Sequence, residues 1–169
     1  MQLKSLKIFS LLLLFVFTAK AQRYNMVIGP EISIPSGNSS NRSAIGYGGY
    51  LKGEIGLNEK FSLTGSGAVV SFLGKRFFGQ RQPTLSYAPV KAGLKYYTES
   101  NFYFEGQVGA SFPLNAGRKA TFAWSPGAGT FIKSRNTGNQ LDFGLRYEGW
   151  THDSTFSFFS LRVGYSFNL

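Results

Sequence analysis

The chain contains no cysteine. That excludes a disulfide framework, a thiolate metal site and a thiol nucleophile. Charged residues are scarce, 15% of the total against a usual ~25%. Acids are scarcer still, 8 against 18 Lys and Arg, and there is one histidine. Beyond residue 21 no apolar run approaches the ~20 residues that a membrane-crossing helix needs. No helical period appears there either. What is abundant is glycine, 21 of 169 residues, and aromatic side chains, 17%. In short alternating segments that combination is a β signature.

The first 21 residues stand apart. Lys4 and Lys7 precede an apolar stretch from Ile8 to Phe17, and Ala19-Lys20-Ala21 puts small residues where a signal peptidase reads. Residues 1–21 are therefore expected to be a cleaved signal peptide, and 22–169 a single exported domain. The formal charge of +10 becomes +7 once Lys4, Lys7 and Lys20 are set aside. A basic exported protein meets acidic glycans or anionic lipid headgroups rather than nucleic acid.

From Tyr24 onward apolar residues fall on alternate positions. The segments are 24–35, 45–57, 61–73, 87–97, 102–112, 121–133, 141–150 and 157–169. Eight segments of ~10–13 residues match tilted bilayer crossings, which need ~9–11, better than ordinary strands of ~5–6. The connections alternate too. Those at 36–44, 74–86, 113–120 and 151–156 are mostly longer and polar, and those at 58–60, 98–101 and 134–140 mostly tight. Short periplasmic turns and longer outer loops follow that rule. The expected fold is all-β: an eight-stranded antiparallel up-and-down transmembrane β-barrel with both termini on the periplasmic side. A soluble barrel with the apolar face inward is disfavoured, because eight strands enclose too narrow a space for so many bulky groups.

The alternation assigns each residue a face. Glu31, Lys52, Glu54, Lys91, Lys95, Glu105, Asp142, Arg146, Glu148 and Arg162 fall on the polar face, as an interior network of pairing charges that plugs the lumen rather than lining a pore. Pairing Tyr96 with Phe102 would set Glu105 opposite Gly93, with Lys91 and Lys95 diagonal to it. Aromatics gather toward segment ends: Tyr24, Tyr96, Phe102 and Phe167 at one, Tyr47, Phe112, Trp124 and Tyr147 at the other, as interfacial girdles do. Pro30, Pro89 and Pro126 interrupt segments of a ring that has no free edge, so bulges or displaced strand starts are expected there. The outer connections carry Arg42, Lys75, Arg76, Arg81, Arg118 and Lys119 against Asp153 alone. Such a rim would attract lipopolysaccharide phosphates or another anionic ligand.

The C-terminal segment LRVGYSFNL alternates to its last residue, with Leu161, Val163, Tyr165, Phe167 and Leu169 on one face. With the signal peptide and the loop asymmetry, it resembles the small outer-membrane β-barrels of diderm bacteria. These include the transmembrane domain of outer membrane protein A and related porin-family barrels. The resemblance covers 22–169. It implies outer-membrane localisation, outer-membrane lipid and lipopolysaccharide as surroundings, delivery by the barrel assembly machinery through the C-terminal strand, and a monomer. Its usual terminal residue is Phe, whereas Asn168-Leu169 follow Phe167 here. The implied role is structural, surface-interacting or minor permeation, without enzymatic activity. Two alternatives stay open. Small outer-membrane lipid A deacylases carry a His-x-Ser pair with an acid nearby, a spacing that His152 and Ser154 match, although no acid follows Asp153. A narrow porin for small solutes is the other. No metal site or cofactor motif is present, and none is expected.

Overall fold

A computed structural model describes residues 23–41, 43–77, 80–115, 119–133, 139–151 and 155–168. The eight barrel strands are β1 (Tyr24–Ser36), β2 (Ser43–Gly56), β3 (Phe61–Gly74), β4 (Leu85–Tyr97), β5 (Phe102–Pro113), β6 (Thr121–Lys133), β7 (Gln140–Thr151) and β8 (Thr155–Asn168). Each pairs antiparallel with its sequence neighbours, and β8 pairs with β1 to close the ring. The closing seam runs from Asn25 opposite Asn168 to Ser36 opposite Ser157. In hydrocarbon every backbone N–H and C=O needs a partner within the protein, and closure supplies it.

Local chemistry sets the tight turns. Asn58 Oδ1 accepts hydrogen bonds from the N–H groups of Lys60 and Phe61, at 2.9 and 2.8 Å, and so shapes the β2–β3 turn. Between β4 and β5, Thr98 N–H donates to the Phe102 carbonyl at 2.9 Å, and Asn101 takes a left-handed φ of 61°. Asn tolerates that region better than most residues. This turn corrects the expected register. Tyr96 lies opposite Phe104, not Phe102, and Lys95 is directly opposite Glu105. A shift of two residues leaves every side chain on its expected face.

The prolines also behave differently from expectation. Pro30 pairs without a break against β2, while its pairing with β8 lapses between Ile28–Tyr165 and Glu31–Arg162. Pro89 is continuous with β5 and lapses against β3, and Pro126 is continuous with β5 and lapses against β7. In none of the three does the register shift. A residue in an antiparallel strand aims its N–H and C=O at the same neighbour, so a missing N–H opens one seam only. The recorded register shift lies elsewhere, in β2 between Ser43 and Gly46.

The outer wall is apolar. Ile28, Ile32, Leu51, Val90, Leu94, Val108, Leu145 and Leu161 all stand exposed on it, and no charged side chain of a described barrel strand does so between the strand ends. Leu161, Val163, Tyr165 and Phe167 of β8 face outward as expected; Leu169 lies outside the described residues. Tyr24, Phe102 and Phe167 are exposed at the turn end and Tyr47 and Phe112 toward the loop end. Trp124 lies over Gly149, packed against Tyr147, with ring centroids 5.6 Å apart.

Leu161 sits between Ile32 and Leu145 at mid-wall. Leu161→Arg is expected to destabilise the folded barrel by about 2–4 kcal/mol, whereas Thr155→Arg at the strand end costs about 0–1. Urea unfolding in lipid vesicles measures both, and equal costs would mean that this wall does not face hydrocarbon.

Candidate functional site

The ten charged residues of the strand interiors all lie inside the barrel, five acids and five bases, each no more than 6% exposed. Neighbouring strands bring only some of the pairs together. Arg162 and Glu31 are direct cross-strand partners on the closing seam, and Arg162 Nε lies 2.5 Å from Glu31 Oε2. The two meet as an ion pair by distance, without hydrogen-bond alignment. Most other contacts cross the lumen and depend on the closed ring.

Near the turn end, Lys95 Nζ donates to Glu54 Oε1 at 2.7 Å and to Asp142 Oδ2 at 3.3 Å. Lys52 Nζ lies 3.0 Å from the same Glu54 oxygen. Two tyrosines complete the carboxylates: Tyr97 donates to Glu54 and Tyr103 to Asp142, each at 2.5 Å. Lys95 also rests 3.8 Å above the Tyr103 ring. At mid-height Arg146 donates to Glu105 at 2.9 Å and to Gln107 at 2.8 Å. Gln107 in turn donates to Thr64 at 3.1 Å. Above that, Glu148 accepts from Lys91 and, at 3.5 Å, from Arg162.

The loop end of the lumen is apolar, which the face assignment had not anticipated. Val70, Phe72, Ala123, Trp150 and Phe158 form a buried cluster, with Leu85, Tyr87 and Phe156 packed against it. Phe72 meets Phe158 edge-on at 5.0 Å, and Trp150 meets Phe158 at 4.9 Å. Gly46 makes room for this seal, since a Cβ there would fall 2.6 Å from the Phe72 ring. Trp150 Nε1–H donates to Glu148 Oε2 at 3.2 Å and ties the seal to the charges beneath it. The signal was available in the sequence. Phe72, Trp150 and Phe158 share position parity with the inward polar residues of their own strands.

Of the outer rim, Lys75 and Lys119 are exposed. Arg76 and Arg81 belong to a short antiparallel ribbon between β3 and β4 and stand opposite each other in it. Arg42 and Arg118 lie outside the described residues, as do His152, Asp153 and Ser154. Among the described residues no group of His, Cys, Asp and Glu could hold a metal ion.

Glu148 is buried and faces three cations and one indole. Glu148→Gln should therefore cost about 3–5 kcal/mol, the usual penalty for leaving buried charge uncompensated. Lys91→Met in the same chain should recover part of that loss. Urea unfolding of the two variants measures it, and a neutral Glu148→Gln would show that the lumen is wet.

No protein-family model matches the sequence, and no curated protein is significantly similar to it. Solved structures are similar in fold. Ail, the attachment invasion locus protein of Yersinia pestis, superposes with a TM-score of 0.58 at 19% identity, over 88% of this chain and all of that one. The same protein in complex with the heparin analogue sucrose octasulfate gives 0.56 at 18% identity, again over 88% and all of the respective chains. Neisserial surface protein A gives 0.55 at 13% identity, over 85% of this chain and 94% of that one. The closed ring of eight antiparallel strands thus has counterparts among known structures, and the chain has the fold of the small outer-membrane β-barrels.

Proposed function

We propose that the protein is an exported outer-membrane barrel of the surface-interaction kind, without enzymatic activity, whose basic outer rim engages phosphates of lipopolysaccharide. In this reading residues 1–21 are removed on export, and the regular β8 carries the signal for the assembly machinery. The observation that carries the reading is how the charge is divided. Inside the barrel five acids meet five bases, so the lumen contributes no net charge. The excess positive charge lies at the ends. The turn side holds Arg23, Lys60, Lys133 and Arg135 against Glu59 and Glu99, and the loop side holds Arg42, Lys75, Arg76, Arg81, Arg118 and Lys119 against Asp153. A one-sign rim over a low-dielectric slab attracts anions along the membrane plane. The Ail complex with a sulfated sugar supports the reading by analogy of fold.

The lumen argues against permeation as the main role. Ion pairs span it at several heights, and the aromatic cluster fills its loop end. An eight-stranded interior is usually taken up by its own side chains.

Reversing the charge at Lys75, Arg76, Arg118 and Lys119 together should strongly weaken binding to lipopolysaccharide-containing vesicles and flatten its salt dependence. Cosedimentation across a salt series measures this, and unchanged binding would end the rim reading. In planar bilayers the native barrel should show no steady conductance. Open events that change when Lys91, Glu105 or Arg162 is neutralised would establish a narrow porin instead.

A further inference from the structure

Seven of the eight seams of the ring join strands that follow one another in the chain; the closing seam joins β8 to β1, which no connection links. A proline interrupts that same seam near the middle of β1. Pairing stops between Ile28–Tyr165 and Glu31–Arg162, so Gly29 and Pro30 face Gly164 and Val163 across the lapse. Pro30 has no N–H to offer the Val163 carbonyl. Gly29 approaches so closely that a Cβ on it would overlap the Val163 carbonyl oxygen. Neither glycine can cover the lapse with a side chain of its own.

The cover comes from the next strand. Tyr50 of β2 stands opposite Gly29 and is buried in the lumen. A Cβ on Gly164 would overlap the Tyr50 hydroxyl oxygen. The ring therefore reaches from β2 past β1 to β8 and lies across the inner side of the lapse. The Arg162 guanidinium stacks on it, with Cζ 4.5 Å from the ring centre.

The charged pair beside this cover is the least well bonded in the lumen. Both carboxylate oxygens of Glu31, and Nε and Nη1 of Arg162, are buried without a hydrogen bond; among the described residues Ser111 Oγ is the only other such side-chain atom. The other two proline lapses differ. At Pro126, Ser125 accepts from Lys91 at 3.2 Å and Glu148 accepts from Trp150. At Pro89 the lapse is bounded by Val70 and Tyr87, which belong to the aromatic seal. Buried polar groups without partners draw water wherever an opening reaches them.

We propose that the closing seam opens locally between Pro30 and Val163, with Tyr50 as its inner latch, and that water drawn through the polar lumen to Glu31 and Arg162 holds it open while the rest of the ring stays paired. Such an opening lies well below global unfolding in free energy. It is independent of the rim reading above.

Three amides face a proline across a lapse: Val163 faces Pro30, Ala68 faces Pro89 and Tyr147 faces Pro126. Their hydrogen exchange is measured by NMR on the full chain folded in lipid nanodiscs. In the native barrel Val163 is expected to exchange faster than Ala68 and Tyr147, on the order of tenfold or more. Tyr50→Ala should speed Val163 further and leave the other two unchanged. Pro30→Ala, which restores the N–H, should slow Val163 to the rate of Ala68 or below, and carries the test alone if Tyr50→Ala does not fold. Equal exchange at the three amides of the native barrel would overturn the proposal. So would a Pro30→Ala barrel in which Val163 still exchanges fastest. A Tyr50→Ala barrel in which all three amides speed up alike would show general loosening and overturn the latch.

Discussion

The seam between β8 and β1 is the interaction on which the rest of the molecule depends. In hydrocarbon an unpaired backbone N–H or C=O costs several kcal/mol. An open sheet of these eight strands would leave a full strand length of such groups on each edge. Closure removes both edges at once and brings Arg162 beside Glu31. It also makes the lumen narrow, so side chains of opposite strands meet across it. The prolines show how local a backbone defect is in such a ring. Each opens one seam for two residues and leaves its other seam and the register intact.

The paired charges of the lumen are a weak source of stability, because removing them from water offsets most of what their attraction returns. Their larger effect is on register. A strand slipped by one residue exchanges its two faces. For β4 that would turn Lys91 and Lys95 into lipid, and for β7 Asp142, Arg146 and Glu148. Each Lys or Arg at mid-bilayer costs about 2–4 kcal/mol. Charges inside therefore act as a penalty on every wrong pairing, and the slip by two in the expected β4–β5 register was the smallest error they permit.

That error shows what can be read from a chain of this kind. Strand limits were legible to within two residues, because period-2 alternation is local and needs no knowledge of the partner. The face of each charged residue followed from the same alternation. Register depends on turn geometry, and the left-handed Asn101 left no trace beyond its residue type. The partners themselves were not legible. Lys91 meets Glu148, 57 positions away on the far side of the barrel, and nothing short of the closed ring puts them together. The aromatic seal is a different case. Position parity puts Phe72, Trp150 and Phe158 inward, but an apolar side chain in such a strand is equally suited to lipid, so the alternation of polarity alone does not reveal the cluster. The ribbon at Arg76 and Arg81 falls in a segment expected only as a longer polar connection, since two-residue strands have no period to detect.

The seal changes how the ends of the barrel relate to each other. A polar lumen open at both ends would join the two sides of the membrane by water. Here Trp150 does two jobs at the junction: its ring packs in the apolar cluster, and its N–H satisfies Glu148 below. Without that donor the uppermost carboxylate would border an apolar wall with one oxygen less well paired. The lumen is thereby finished with its own groups at the loop end, as the wall is finished with lipid. By sequence, the loop-side connections carry six bases against one acid, a greater excess of one sign than the turn side. Chemistry specific to this chain is therefore to be sought in its outer connections.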